Sequence, residues 1–222
     1  MFQANPTPKG TGASIYGSYE DLCFLHEFIH NLIDGLKESV PEQEAQSKLL
    51  LNFAYELRKA YEGQRIFKSE ESPNNRSENI LYGFQIVWTD LIIYLITIRE
   101  LTAYSITDKG QQGILYLLEF AVEKALDKYD PIGGMEIKAL LLRRIPTFTP
   151  YAFIQYQALH REFTFGKGGK TRFRKIPKLI NAYFNEWDPA HKSFIEELKA
   201  SAKKINCEIT QLTTKSFPKI EW

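Results

Sequence analysis

The sequence predicts an α+β fold dominated by helices, roughly six to eight of them, with a small sheet. Three observations carry that prediction. Long stretches repeat apolar residues at helical spacing between recognisable caps. A β-prone run, "GASIYGSY" from Gly12 to Tyr19, lies near the start of the chain. Finally, "REFTF" and "TRFRKI" flank "GKGGK" across residues 161–176, the pattern of a basic β-hairpin with a glycine tip.

The elements follow in order. Gly17 ends the first strand, and Ser18 can cap a helix to about Glu38, with Glu20 and Asp21 favouring its dipole. Pro41 opens a second helix that Gly63 closes, and the short "ESV" connection makes the two antiparallel neighbours. "GQRIFKSEESPNNRSEN", from Gly63 to Asn79, has no periodicity and reads as a surface loop. A buried helix is expected from Glu78 to Leu101 and another from Asp108 to Tyr129. After the "DPIGG" turn come a short helix from Met135 to Arg144 and a further one from Pro150 to His160. Beyond the hairpin, helices are expected over Lys175–Glu186 and Asp188–Ile205, and "CEITQLTT" can form a C-terminal strand.

A chain of 222 residues with 44% hydrophobic content can bury a sizeable core, and one domain over 1–222 is expected, with a sub-structure boundary near 145–160. The net charge of +1 gives no global affinity for polyanions. Cys23 and Cys207 form no metal-spacing motif and fit free thiols in a reducing, cytoplasmic setting. No secretory signal opens the sequence. Ile80 to Ile98 would just span a bilayer, but Asp90 sits near its centre, and a core helix accounts for the run at lower cost. No membrane partner is expected.

Charge is nevertheless local. Seven basic residues between Arg161 and Lys178 oppose only Glu162, which concentrates +6 in one stretch. Lys167, Lys170, Arg172 and Arg174 could bind phosphate or nucleic acid, with phenylalanines interleaved for base stacking. The same residues would also suit a solvated hairpin whose charges deter edge pairing. "GGKT" is no P-loop, because Thr164 stands where the pattern needs glycine.

"LHEFIHN" contains His-Glu-x-x-His. On a helix, His26 and His30 share a face and could hold zinc, with Glu27 as general base. Ile33 and Leu36 replace the glycine and histidine of the extended motif. If the first two helices fold back near residue 40, the histidines face positions 50 to 54 and Glu56 could be the third ligand. Too few residues precede His26 for a substrate-binding sheet, so the sequence favours two histidines at the rim of a helix interface, with no metal and no cofactor.

Asp90 should pair with Arg99 or Arg143, or else line a pocket. His160 and His191 have no sequence neighbour that makes a nucleophile–base pair. The opening "TPKGTGASIYGSYEDL", Thr7 to Leu22, resembles the start of a family of uncharacterised bacterial proteins, which implies a bacterial origin and no transferable site. The sequence thus favours a soluble, non-catalytic binding or regulatory protein working on a protein partner or polyanion. A nucleic-acid or phosphate binder and a zinc hydrolase are the alternatives.

Overall fold

A computed structural model describes residues 1–37, 39–70, 79–143, 145–212 and 217–222. The α+β class holds: helices dominate, around one small antiparallel sheet. The strands β1 (Gln3–Pro6), β2 (Gly12–Gly17), β3 (Ile66–Glu70) and β4 (Asn79–Val87) lie in the order β1-β2-β4-β3. β2 pairs with β4 in a register that sets Ile15 opposite Phe84 and Gly12 opposite Val87. The turn joining β1 to β2 is closed by Thr7, which donates its N–H to the Gly12 carbonyl and accepts the Gly12 N–H on its hydroxyl. Gly10 takes φ +66° in that turn, a conformation that favours glycine.

The first two helices form as their caps dictate. In α1 (Tyr19–Asp34), Ser18 and Asp21 complete a reciprocal capping box, and Gly35 ends the helix short of Glu38. Pro41 opens α2 (Pro41–Tyr61), and Gly63 follows it with φ +75°. Leu22, Leu25, Phe28, Ile29 and Leu32 bury one stripe of α1, each contributing about 1.5–3 kcal/mol. That stripe packs on α2, as expected, and the sheet's Ile15, Phe84 and Ile86 join the same core.

The expected loop over Gly63–Asn79 needs correction: Ile66–Glu70 is strand β3, while residues 71–78 lie outside the described residues. The helix expected from Glu78 is corrected too. The apolar run first completes β4 and turns helical only at Trp88, giving α3 (Trp88–Thr102). β-branched and aromatic residues can satisfy either period when a run is buried throughout, so hydropathy alone hid the change. α3 is buried from Trp88 through Ile98. Among the described residues, no helix is long and apolar enough to cross a membrane.

The remaining helices are α4 (Lys109–Tyr129), α5 (Pro131–Leu142), α6 (Ala152–Phe165), α7 (Lys170–Phe173), α8 (Ile176–Phe184) and α9 (Pro189–Ile205). Asp108 caps α4, Asp130 caps α5 and Asp188 caps α9. The basic hairpin over residues 161–176 does not form. α6 continues to Phe165, and the glycines supply only a turn, with Gly169 at φ +97°. Helical spacing wins because Leu159 and Phe163, then Phe173, Ile176, Ile180 and Phe184, bury one face of each helix. Phe165, which a period of two would bury, is 61% exposed. The C-terminal strand is corrected as well: Ile209–Gln211 is a 3₁₀ turn, and Thr213 and Thr214 lie outside the described residues.

Candidate functional site

Two core helices build the site. α3 carries Asp90 in its first turn and Tyr94 one turn later. α6 carries Tyr156 and, one turn later, His160. Residues four apart on a helix share a face, so packing α3 against α6 brings four polar groups together inside an apolar core. His160 Nδ1 lies 2.7 Å from Asp90 Oδ2, and the Tyr156 hydroxyl donates to that oxygen at 3.3 Å. The Tyr94 and Tyr156 hydroxyls meet at 2.7 Å. With Tyr156 donating to the carboxylate, Tyr94 donates to Tyr156. The Thr89 hydroxyl serves the other oxygen, Oδ1, at 3.3 Å.

This network corrects the expected arginine partner of Asp90, while the pocket that was the alternative is present. Asp90 is partnered by a histidine, whereas Arg99 forms a bidentate pair with Glu119. Burial disfavours the His160 imidazolium, but the hydrogen bond and charge of Asp90 outweigh it and raise the pKa above its ordinary value. Burial and the Asp90 charge push both tyrosines well above theirs. Tyr94 and Tyr156 therefore remain protonated donors.

Asp90 also lines a cleft of about 400 Å³. Tyr94 and Tyr156 line it too, together with Tyr55, Glu56, Arg65 and Trp222. Arg65 grips Glu56 through two bonds of 2.8 and 3.0 Å. The Tyr55 ring draws Arg58, Lys59 and Arg65 to between 5.5 and 5.9 Å of its centroid. Behind the network, Phe217 sets its ring edge-on to His160 at 5.3 Å.

The histidine motif lies elsewhere. The His26 and His30 rings lie 4.5 Å apart, tilted at 58°, on the partly buried edge of α1, and Glu27 is exposed. His26 meets the Tyr61 ring at 5.6 Å and feels the charges of Arg58 and Glu62. It therefore faces the end of α2, roughly two turns beyond the register of a symmetric helical hairpin. Glu56, the proposed third ligand, is engaged by Arg65. Among the described residues, no three His, Cys, Asp or Glu gather as a metal site.

The four basic candidates also separate. Lys167 and Lys170 are exposed. Arg174 makes a bidentate bridge to Asp130 at 2.6 and 2.9 Å. Arg172 is buried, donating to the carbonyls of Phe163 and Gly166 and to the Thr11 hydroxyl.

Sequence reasoning singled out Asp90 and His160 but missed their union, and it missed Tyr94, Tyr156, Arg65 and Trp222. The spacings Asp90-x-x-x-Tyr94 and Tyr156-x-x-x-His160 were the available signal, each placing two polar groups on an otherwise apolar helical face. Comparison with curated proteins and with solved structures gives no match. Over residues 2–222 the chain belongs to the family described as a domain of unknown function (DUF6904).

Proposed function

We propose that the protein is a non-catalytic binding protein whose ligand, a small organic molecule carrying an amine, occupies the Asp90 cleft. The observation behind this reading is a buried carboxylate, immobilised by His160 and Tyr156, on the wall of an open aromatic cleft. Tyr55 and Trp222 border the cleft with aromatic surface for an apolar group, and Asp90 and the Arg65-bonded Glu56 add carboxylate oxygens to its lining. Cys23 and Cys207 are both free, which supports a cytoplasmic setting, and the opening stretch supports a bacterial one.

Titrating the protein with phenethylamine and with the isosteric neutral 2-phenylethanol, followed through Trp222 fluorescence, tests the proposal. The amine should bind at least about tenfold more tightly, a preference that Glu56→Gln reduces and Asp90→Asn removes. Equal affinity for the two compounds would rule out carboxylate recognition of an amine.

A further inference from the structure

We propose that a second cavity, between the Lys9–Thr11 turn, the 166–169 turn and segment 217–222, is a phosphate-class oxyanion site that Glu221 fills from within the chain. It has a volume of about 230 Å³, and Lys9, Lys219 and Arg172 line it. Arg172 is only 8% exposed, yet its hydrogen bonds go to two carbonyls and a hydroxyl and never to a carboxylate. Those bonds use three of its five N–H donors, and among the described residues the buried Nε has no partner. A buried guanidinium without a counter-anion is costly, and burial lowers its pKa from the ordinary value.

The only carboxylate on the cavity wall is that of Glu221, among the described residues. Lys9 binds it at 2.5 Å, and Lys9 and then Lys219 hold its carboxyl below the ordinary range. Its backbone carbonyl accepts from the Thr11 hydroxyl at 2.7 Å, and Thr11 in turn accepts from Arg172 Nη2 at 2.9 Å. One carboxylate against three cations leaves positive charge unbalanced. A dianionic tetrahedral oxyanion balances it more fully, and displacement of the exposed Glu221 side chain gives it room. The two cavities share Ile220, but this site uses none of the cleft's carboxylates.

Isothermal titration of the whole chain with inorganic phosphate at low ionic strength tests it. The wild type should bind, Glu221→Gln should bind about tenfold more tightly, and Lys219→Ala and Lys9→Ala about tenfold more weakly. Glycerol 3-phosphate forms a second arm. Tighter binding than phosphate supports the site with a phosphorylated small molecule as its ligand, and weaker binding supports it with the free anion. No binding by either the wild type or Glu221→Gln would overturn the proposal. So would binding that ignores both lysine substitutions, or affinity for single-stranded oligonucleotide without affinity for phosphate.

Discussion

Asp90 and His160, 70 positions apart in sequence, are held at 2.7 Å inside the core, and each is less than a tenth exposed. The bond fixes the helix pair that forms the cleft wall and sets the charge there. It also makes the cleft sensitive to pH.

Because His160 is raised above its unfolded value, folding favours its protonated form. The resulting stabilisation is complete below about pH 6.5 and is lost as pH rises through the folded pKa. His26 runs the other way: burial and then the His30 charge lower it, so its contribution is present above the unfolded pKa and lost in acid. His191, lowered by burial, acts in the same direction as His26, and the wild-type profile mixes all three. The difference in urea unfolding free energy between wild type and His160→Gln isolates the pair, and it should be larger at pH 6 than at pH 9. Asp90→Ala, which strips a buried histidine of its partner, should cost about 3 kcal/mol at pH 6.

Two glycines, one in the sheet and one in α4, make a second prediction. A Cβ on Gly12 would lie 1.8 Å from the Ile86 carbonyl oxygen, and backbone at the centre of a sheet cannot move aside. Gly12→Ala should therefore cost about 3 kcal/mol or more. Gly113, inside α4, has open space around its added Cβ. Gly113→Ala should stabilise the fold by roughly 0.5–1 kcal/mol. Thermal unfolding of the two variants checks both signs.

How far the fold was legible follows the range of the interactions. Ser18, Pro41, Gly63, Asp108 and Asp188 act within a few residues, and each marks a helix end where expected. The β4-to-α3 switch at Trp88 lies inside a continuous apolar run, where neither period stands out. β3 was hidden differently. Its edge position leaves Phe67 69% exposed and Lys68 and Glu70 paired to each other, so its composition resembles a loop. The candidate site was half legible. Asp90 stood out as a charge in a greasy run, but its partner depends on how α3 meets α6, which no local pattern encodes.

The basic stretch reads differently once its side chains are placed. Arg174 holds the Asp130 carboxyl below its ordinary range, chiefly by hydrogen bonding, and Asp130 in turn caps α5. The bridge thus stabilises the fold above the unfolded aspartate pKa and is lost as pH falls through the folded one. Arg174→Ala should be less stable than wild type at neutral pH, with the gap closing in acid. Its phosphate affinity should be unchanged, because Arg174 does not line the Lys9–Arg172 cavity. Calorimetry across pH, combined with the phosphate titration, checks both statements.

The histidine motif supplies the last prediction. A zinc hydrolase needs a third protein ligand beside His26 and His30, and a water activated by Glu27. Glu56 is held by two bonds to Arg65, and the charged groups felt by His26 on α2 are Arg58 and Glu62. A guanidinium near the pair opposes a dication, and burial lowers the His26 pKa as it would for an imidazole kept neutral in a helix seam. Elemental mass spectrometry on purified, tag-free protein should therefore find zinc well below one atom per chain. His26→Ala should leave the metal content unchanged and cost little stability, since the ring is only partly buried. One zinc per chain, lost in His26→Ala, would instead mean that Glu56 leaves Arg65 when metal is present. Arg65→Ala, which frees that carboxylate, should then tighten zinc binding.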